Sequence, residues 1–254
     1  METRDKERQE RQLSPAERRR RMEARKKRRK KQRRKKQMIR LLVILAMIAV
    51  VILLVFGIYA IVKKVAGGGS KQIQPKGEHA VIYIDPGHGG EDIGLGSDTL
   101  EKEVSLAICS KLKIMLEGQG YEVVMTREDD TRVSKEERVA AANDSGADLL
   151  VSVHCGSSED SSRAGAVSYY KTSSKESKTL CKNIQEALVK ESGAQDGGTA
   201  EGDYTILSTD IPSVLLEVGY LSNTVEAENL ADDSYQNNIA KGIAKGIILS
   251  IEDK

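Results

Sequence analysis

Between Arg40 and Lys63 stand 22 consecutive residues, Leu41 to Val62, none of which is charged. A helix needs about 20 apolar residues to cross a hydrocarbon core of about 30 Å. A run of this length and composition has few places in a soluble domain, so the chain on either side of it has to be read separately. The expectation is one transmembrane helix over 41–62. A cleaved secretory signal has a shorter apolar region, roughly 7–15 residues, and a small-residue cleavage site. Neither feature is evident, and the segment is read as a retained anchor.

Charge orients that anchor. Residues 1–40 carry 20 Lys and Arg against 6 Asp and Glu, whereas from Val65 onward there are 18 against 32, so a net charge of +2 conceals a basic arm and an acidic domain. Basic flanks remain cytoplasmic. The cluster from Arg18 to Lys36 outweighs Lys63 and Lys64, which predicts a single-pass cell-membrane protein, N-terminus inside and the rest extracytoplasmic. Residues 1–40 are too charged to bury a core and are expected to be a solvated tail near the inner leaflet, where each cation contributes about 1 kcal/mol. Charge alone would also let this arm hold nucleic acid, the lesser reading. Residues 63–79, which include Gly67-Gly68-Gly69-Ser70, have the composition of a flexible linker with a mean reach of roughly 20–25 Å. The domain over 80–254 should therefore act close to the membrane.

Within that domain, short β-branched runs alternate with amphipathic ones, the pattern of a parallel sheet flanked by helices. Strands are expected at Val81 to Ile84, Tyr121 to Thr126, Asp148 to Val153 and Ala164 to Tyr170, with two short ones at Tyr204 to Leu207 and Ser213 to Leu216. Glu101 to Glu117 places Val104, Ile108, Leu112 and Met115 on one helical face, and Gly118 and Gly120 end it. Ser134 with Glu137 makes a capping box for a helix to about Asp144. Further helices are expected at about Ser174 to Glu191 and Tyr235 to Ile251. Cys109, Cys155 and Cys181 are odd in number and lack a C-x-x-C pair, so neither a disulfide framework nor a thiolate metal site is indicated and they are read as packing residues.

Three ionisable residues fall at predicted strand ends: His88, His154 and Glu217. In open α/β sheets the crevice beyond the carboxyl ends of the strands is the usual ligand site. His88 is centred in Asp85-Pro86-Gly87-His88-Gly89-Gly90, a turn that exposes the imidazole; without the Lys and Ser/Thr of a phosphate loop it does not read as a nucleotide cradle. His154 ends an apolar run, where a satisfied core histidine is the plain alternative. Cys155 beside it suggests a Cys/His nucleophilic pair, but neighbours on a strand point to opposite faces. Glu217, inside Val214-Leu215-Leu216-Glu217-Val218-Gly219-Tyr220, must be desolvated unless partnered, and is read as a catalytic carboxylate against a structural ion pair. Glu101 is ambiguous, since Asp98 three residues earlier could make it part of a capping box. Two imidazoles and a carboxylate are a set that holds catalytic zinc while leaving a position for water. Water bound there ionises near pH ~7, and a second carboxylate can carry its proton to the departing amine.

These residues resemble the zinc N-acetylmuramoyl-L-alanine amidases of the bacterial type-3 class over roughly Val81 to Ile251. The marks are Tyr83-Ile84-Asp85-Pro86-Gly87-His88-Gly89-Gly90, Glu101-Lys102-Glu103-Val104-Ser105-Leu106, Thr126-Arg127, Glu137-Arg138 with Ala142-Asn143, Ala147-Asp148, Ser152-Val153-His154, and the run from Ile211 to Asn223. The resemblance implies that His88, Glu101 and His154 bind Zn2+, that Glu217 is the catalytic carboxylate, and that the substrate is peptidoglycan, cut between N-acetylmuramic acid and L-alanine. It implies an α/β fold, a twisted mostly parallel sheet of about six strands with helices on both faces, here preceded by the transmembrane helix. For Arg127 and Arg138 substrate contact and a structural salt bridge both stay open. The family commonly has Ala-Asn-Ser where this chain has Cys155-Gly156-Ser157, a departure that touches the groove. Short membrane-anchored members include a spore-cortex amidase. Competing readings are a wall-binding or regulatory protein without turnover, and a basic arm that is itself the main functional element.

Overall fold

A computed structural model describes residues 79–96 and 99–251, with Met38 and Met47 as isolated positions, each helical with an exposed side chain. The expected basic tail, transmembrane helix and linker otherwise lie outside the described residues. Among those described, no helix is long and apolar enough to cross a membrane. The chain divides into units 1–68 and 69–254, and the second carries everything below.

Its elements are β1 (Val81–Pro86), α1 (Glu101–Glu117), β2 (Glu122–Met125), α2 (Lys135–Asp144), β3 (Leu149–Gly156), β4 (Ala166–Tyr170), α3 (Lys175–Ser192), β5 (Asp196–Glu201), a 3-10 turn (Thr205–Ser208), β6 (Ser213–Tyr220), α4 (Thr224–Ala231) and α5 (Asp233–Ile251). The strands form one sheet in the order β2-β1-β3-β6-β4-β5. β2, β1, β3 and β6 run parallel, β4 is antiparallel to β6, and β5 is parallel to β4. The expected six-stranded, mostly parallel α/β sheet is therefore present.

Alternation along the strands decides which side chains meet which layer. Ile82, Ile84, Leu149, Val151 and Val153 face α1, α3 and α5 and form the larger core with Ile108, Leu112, Ile184 and Ile243. Tyr83, Leu150 and Leu215 face the other way and pack with Ala142 of α2 and Ile206 and Leu207 of the 3-10 turn. The central strands β1, β3 and β6 are buried on both faces, which explains why they read as continuous apolar runs. Val104, Ile108 and Leu112 are buried as their spacing predicts, with Met115 packed at the edge of the same cluster. The Ser134/Glu137 capping box is formed, Glu137 N donating to Ser134 Oγ (3.3 Å) and Ser134 N to Glu137 Oε2 (2.9 Å).

Two expectations need correction and two elements were not expected. The strand from Ser213 continues past Leu216 to Tyr220, so Glu217 lies within it and not after its end. Tyr204 to Leu207 is not a strand: Thr205–Ser208 forms a 3-10 turn whose Ile206 and Leu207 point into the smaller core. Two consecutive buried side chains suit a tight helical turn, whereas a strand would send them to opposite faces. β5, Asp-Gly-Gly-Thr-Ala-Glu, was not anticipated, because it is an exposed edge strand with no apolar alternation to betray it. Helix α4 was also missed, although Asn223, whose side chain accepts from Val225 N and Glu226 N, is a recognisable N-cap.

Candidate functional site

The loop after β1 brings His88 over the carboxyl edge of the sheet. His88 is the one non-glycine residue with positive φ (58°) among those described, a conformation that histidine visits more readily than most residues but that still needs outside support. Two buried arginines supply it. Arg138 donates to Pro86 O and His88 O (2.6 Å each), and Arg127 donates to Gly87 O (2.8 Å) and Pro86 O (3.3 Å). Arg138 also makes a 2.6 Å salt bridge with Asp85, whose carboxylate accepts from Thr126 Oγ1 and Ser152 Oγ at 2.7 Å each. Burial pushes the Asp85 carboxyl up, but Arg138 and the two hydroxyls more than reverse this and hold it below its ordinary value. Of the two roles left open for these arginines, the structural one accounts for their contacts.

Glu101 opens α1 directly after the N-cap Leu100, so it stands at the first helical position and not at the third, where a capping box would place it. Asp98, the partner that reading required, lies outside the described residues. The Glu101 side chain is 1% exposed. Its Oε2 lies 3.1 Å from His88 Nε2 and accepts from Leu95 N at 2.9 Å; its Oε1 lies 2.9 Å from His154 Nδ1 and accepts from Cys155 N at 3.0 Å. Burial opposes the charge, yet the hydrogen bonds from His154 and His88 hold the carboxyl far below the usual carboxylate range. The buried acid is thereby kept ionised.

His154 comes from the end of β3, and the two imidazole rings meet edge to face with centroids 5.0 Å apart. One nitrogen from each ring and one Glu101 oxygen all fall within 4.8 Å of one another, a group that could hold a metal ion. Donors on a tetrahedral zinc with bonds of about 2.0–2.1 Å stand roughly 3.3 Å apart; the 2.9 and 3.1 Å contacts are close to that spacing. The outer contacts fit as well. Asp92 Oδ1 takes His88 Nδ1 at 2.8 Å, the carboxylate–histidine arrangement that orients a ligating ring. Asp92 was not anticipated, and its only signal was its place four residues beyond His88.

Two glycines keep this cluster tight. A Cβ on Gly87 would lie 2.4 Å from His154 Cε1; one on Gly94, whose φ is +68°, would lie 2.6 Å from Glu101 Oε2 and 2.7 Å from His88 Cδ2. Gly94→Ala is accordingly expected to weaken metal binding by about 10–100-fold, the usual cost of disturbing the groups around a ligand. Competition against a fluorescent chelator, with circular dichroism to establish that the domain stays folded, checks this.

Glu217 reaches the same crevice from β6. It is the register partner of His154 across the parallel β3/β6 pair, so the two backbones are about 4.8 Å apart. Its Oε2 accepts from Tyr169 Oη at 3.2 Å and Tyr220 Oη at 3.5 Å. His88, Glu101, His154, Glu217, Arg132 and Tyr204 line one open cleft of about 680 Å³. All four residues expected at the site therefore line it. Cys155 also borders this cleft, but its thiol is buried with the larger core, and burial pushes it well above its ordinary value, which disfavours a thiolate. Cys109, Cys155 and Cys181 are all free and buried, as expected of packing residues.

A cluster of two imidazoles and a carboxylate, in the crevice beyond parallel strands, defines an α/β protein with a candidate metal centre. Comparison with known proteins narrows the class. The family model for N-acetylmuramoyl-L-alanine amidase (Amidase_3) matches residues 82–249. The germination-specific N-acetylmuramoyl-L-alanine amidase of Bacillus subtilis is 35% identical over 191 residues, covering 68% of this chain and 81% of that protein. Among solved structures, an N-acetylmuramoyl-L-alanine amidase from Clostridium difficile 630 superimposes with a TM-score of 0.66 at 33% identity, covering 68% of this chain and 96% of that one. The CwlD amidase from Clostridioides difficile, solved in complex with the GerS lipoprotein, gives 0.62 at 34% identity, covering 66% and 96%. The chain belongs to the N-acetylmuramoyl-L-alanine amidase family, enzymes that hydrolyse the amide joining N-acetylmuramic acid to L-alanine in peptidoglycan.

Proposed function

We propose that this amidase is zinc-dependent, that His88, Glu101 and His154 are its metal ligands, and that Glu217 carries the proton between water and the leaving amine. The observation that bears most weight is the convergence of three ligand-type donors within 4.8 Å, beside a carboxylate on the adjoining strand. Zinc, when bound, supplies Lewis acidity that polarises a carbonyl and makes water acidic near neutral pH. The chain supplies the rest. Glu101 is held ionised and buried, Asp92 orients His88, and Glu217 takes a proton from the attacking water and returns it to the alanine nitrogen, which leaves poorly unless protonated.

Digestion of purified sacculi tests this. Mass spectrometry should find stem peptides with a free L-alanine amino group and glycans with intact lactyl carboxylates. A chelator should abolish both products and added Zn2+ restore them. Cleavage of a glycosidic bond, or chelator-insensitive release, would overturn the reading.

The same proposal includes a membrane anchor over 41–62, N-terminus inside, which puts the hydrolase on the peptidoglycan side. Its support is the uncharged run and the 20 basic residues before it. The full chain should sediment with membranes and resist extraction by salt, whereas a chain starting at Val65 should be soluble and still cleave sacculi. A salt-extractable full chain would remove the anchor. A spore-wall role with a lipoprotein partner is a second reading, favoured by the germination-specific relative and by the CwlD–GerS complex.

A further inference from the structure

Glu217 is approached by three phenols, and together they give it a fixed orientation. Tyr169 lies on β4 as the register partner of Leu215, and Glu217 follows two residues later on the same face of β6. That diagonal distance, about 7–8 Å between backbones, is within reach of an aromatic side chain, and the Tyr169 hydroxyl ends 3.2 Å from Glu217 Oε2. Tyr204, at the N-cap of the 3-10 turn, packs edge to face on Tyr169 at 5.0 Å and so sets the angle of its ring. Tyr220, 1% exposed, reaches the same oxygen at 3.5 Å. Its backbone N–H is tied to the buried Glu226 Oε2 at 2.6 Å, and the Arg163 guanidinium covers its ring at 5.0 Å. Both hydroxyls bond Oε2, and the Tyr204 hydroxyl is hydrogen-bonded to the Glu217 carboxylate as well as to Tyr169.

We propose that Tyr169 is a positioning residue for Glu217: its hydroxyl, seconded by that of Tyr220, holds Oε2 and so fixes the orientation in which the carboxylate exchanges its proton. This rests on the reading of Glu217 as the proton carrier. A carboxylate on a strand can rotate about its side-chain torsions, and a misplacement of about 1 Å in a reacting group can cost on the order of 100-fold in rate. Two donors on one oxygen remove that freedom. Both remain donors, because burial, and behind it the Glu217 charge, hold the Tyr169 and Tyr220 hydroxyls above their ordinary range and therefore protonated.

The test is kinetic, on the full chain with soluble muropeptides. Tyr169→Phe keeps the ring against Tyr204 and removes the hydroxyl, with its bonds to Glu217 and to Tyr204. Its kcat should fall about 10–100-fold, the value of a hydrogen bond to a charged group, with KM, zinc content and melting temperature at wild-type values. Tyr220→Phe, losing a longer bond, should cost less. In a Glu217→Gln background Tyr169→Phe should add nothing, because two residues acting as one unit are non-additive. An unchanged kcat in Tyr169→Phe overturns the proposal. So does an equal further loss in the Glu217→Gln background, which would mean that the phenol acts without Glu217, or a kcat loss that tracks zinc or melting temperature. A fully active Glu217→Gln would instead sink the parent reading. An impaired Glu217→Gln beside a wild-type Tyr169→Phe sinks this one alone.

Discussion

Glu217→Gln is expected to lower kcat on peptidoglycan by about 10²–10⁴-fold, the range that proton transfer by a placed side chain contributes, while one equivalent of zinc stays bound. The substitution keeps shape and keeps an oxygen for Tyr169 and Tyr220, but removes the basic site. The proposed metal donors are His88, Glu101 and His154, whose side chains contact one another and not the Glu217 side chain. Activity and metal content should therefore separate. His88→Ala or His154→Ala should lose both together. A Glu217→Gln enzyme with wild-type turnover would take Glu217 out of the chemistry, and one without zinc would make it a ligand. Metal analysis beside steady-state kinetics distinguishes all three cases.

Arg138→Ala is expected to destabilise the domain by about 3–5 kcal/mol, because it leaves the Asp85 carboxylate buried without its cation. For a domain of this size, about 2–4 °C per kcal/mol turns that into a melting temperature lower by roughly 6–20 °C. Calorimetry would measure it. The pH dependence has a definite sign. Since Asp85 is held below its ordinary value, its contribution is present above the unfolded-state pKa of about 3.9 and is lost as pH falls toward the lower folded value. The gap between wild type and Arg138→Ala should therefore narrow in acid. The variant should also bind zinc more weakly, since Arg138 holds the carbonyls of Pro86 and His88. A melting temperature within 2 °C of wild type, about 1 kcal/mol or less, would show that the network around Asp85 can do without Arg138.

Much of the domain is legible in its sequence. Val104, Ile108 and Leu112 announced a helix by their spacing, and the apolar runs at Ile82 and Leu149 announced strands buried on both faces. Glu226 was less visible. It accepts from Tyr220 N and Gly165 N, which are 6 and 61 residues away in sequence, and only the second contact ties distant segments together. The edge strand Asp196–Glu201 carries no apolar pattern because most of its residues are exposed.

The chemistry divides along a similar line. Residue types and local setting were enough to single out His88, His154 and Glu217 and to make a Glu217 carboxylate among apolar neighbours demand a partner, since these follow from short-range periodicity and from the cost of desolvating a charge. Even so, β6 runs on to Tyr220 and leaves the half-buried Glu217 inside the strand and not after it. Which atoms meet could not follow from them. That Glu101 bonds each histidine through a different oxygen, that Arg127 and Arg138 brace the His88 loop, and that Tyr169, Tyr204 and Tyr220 surround Glu217 all depend on the strand order β1-β3-β6-β4. Strand order is settled by packing the whole sheet between its helices, and no local stretch of sequence contains it.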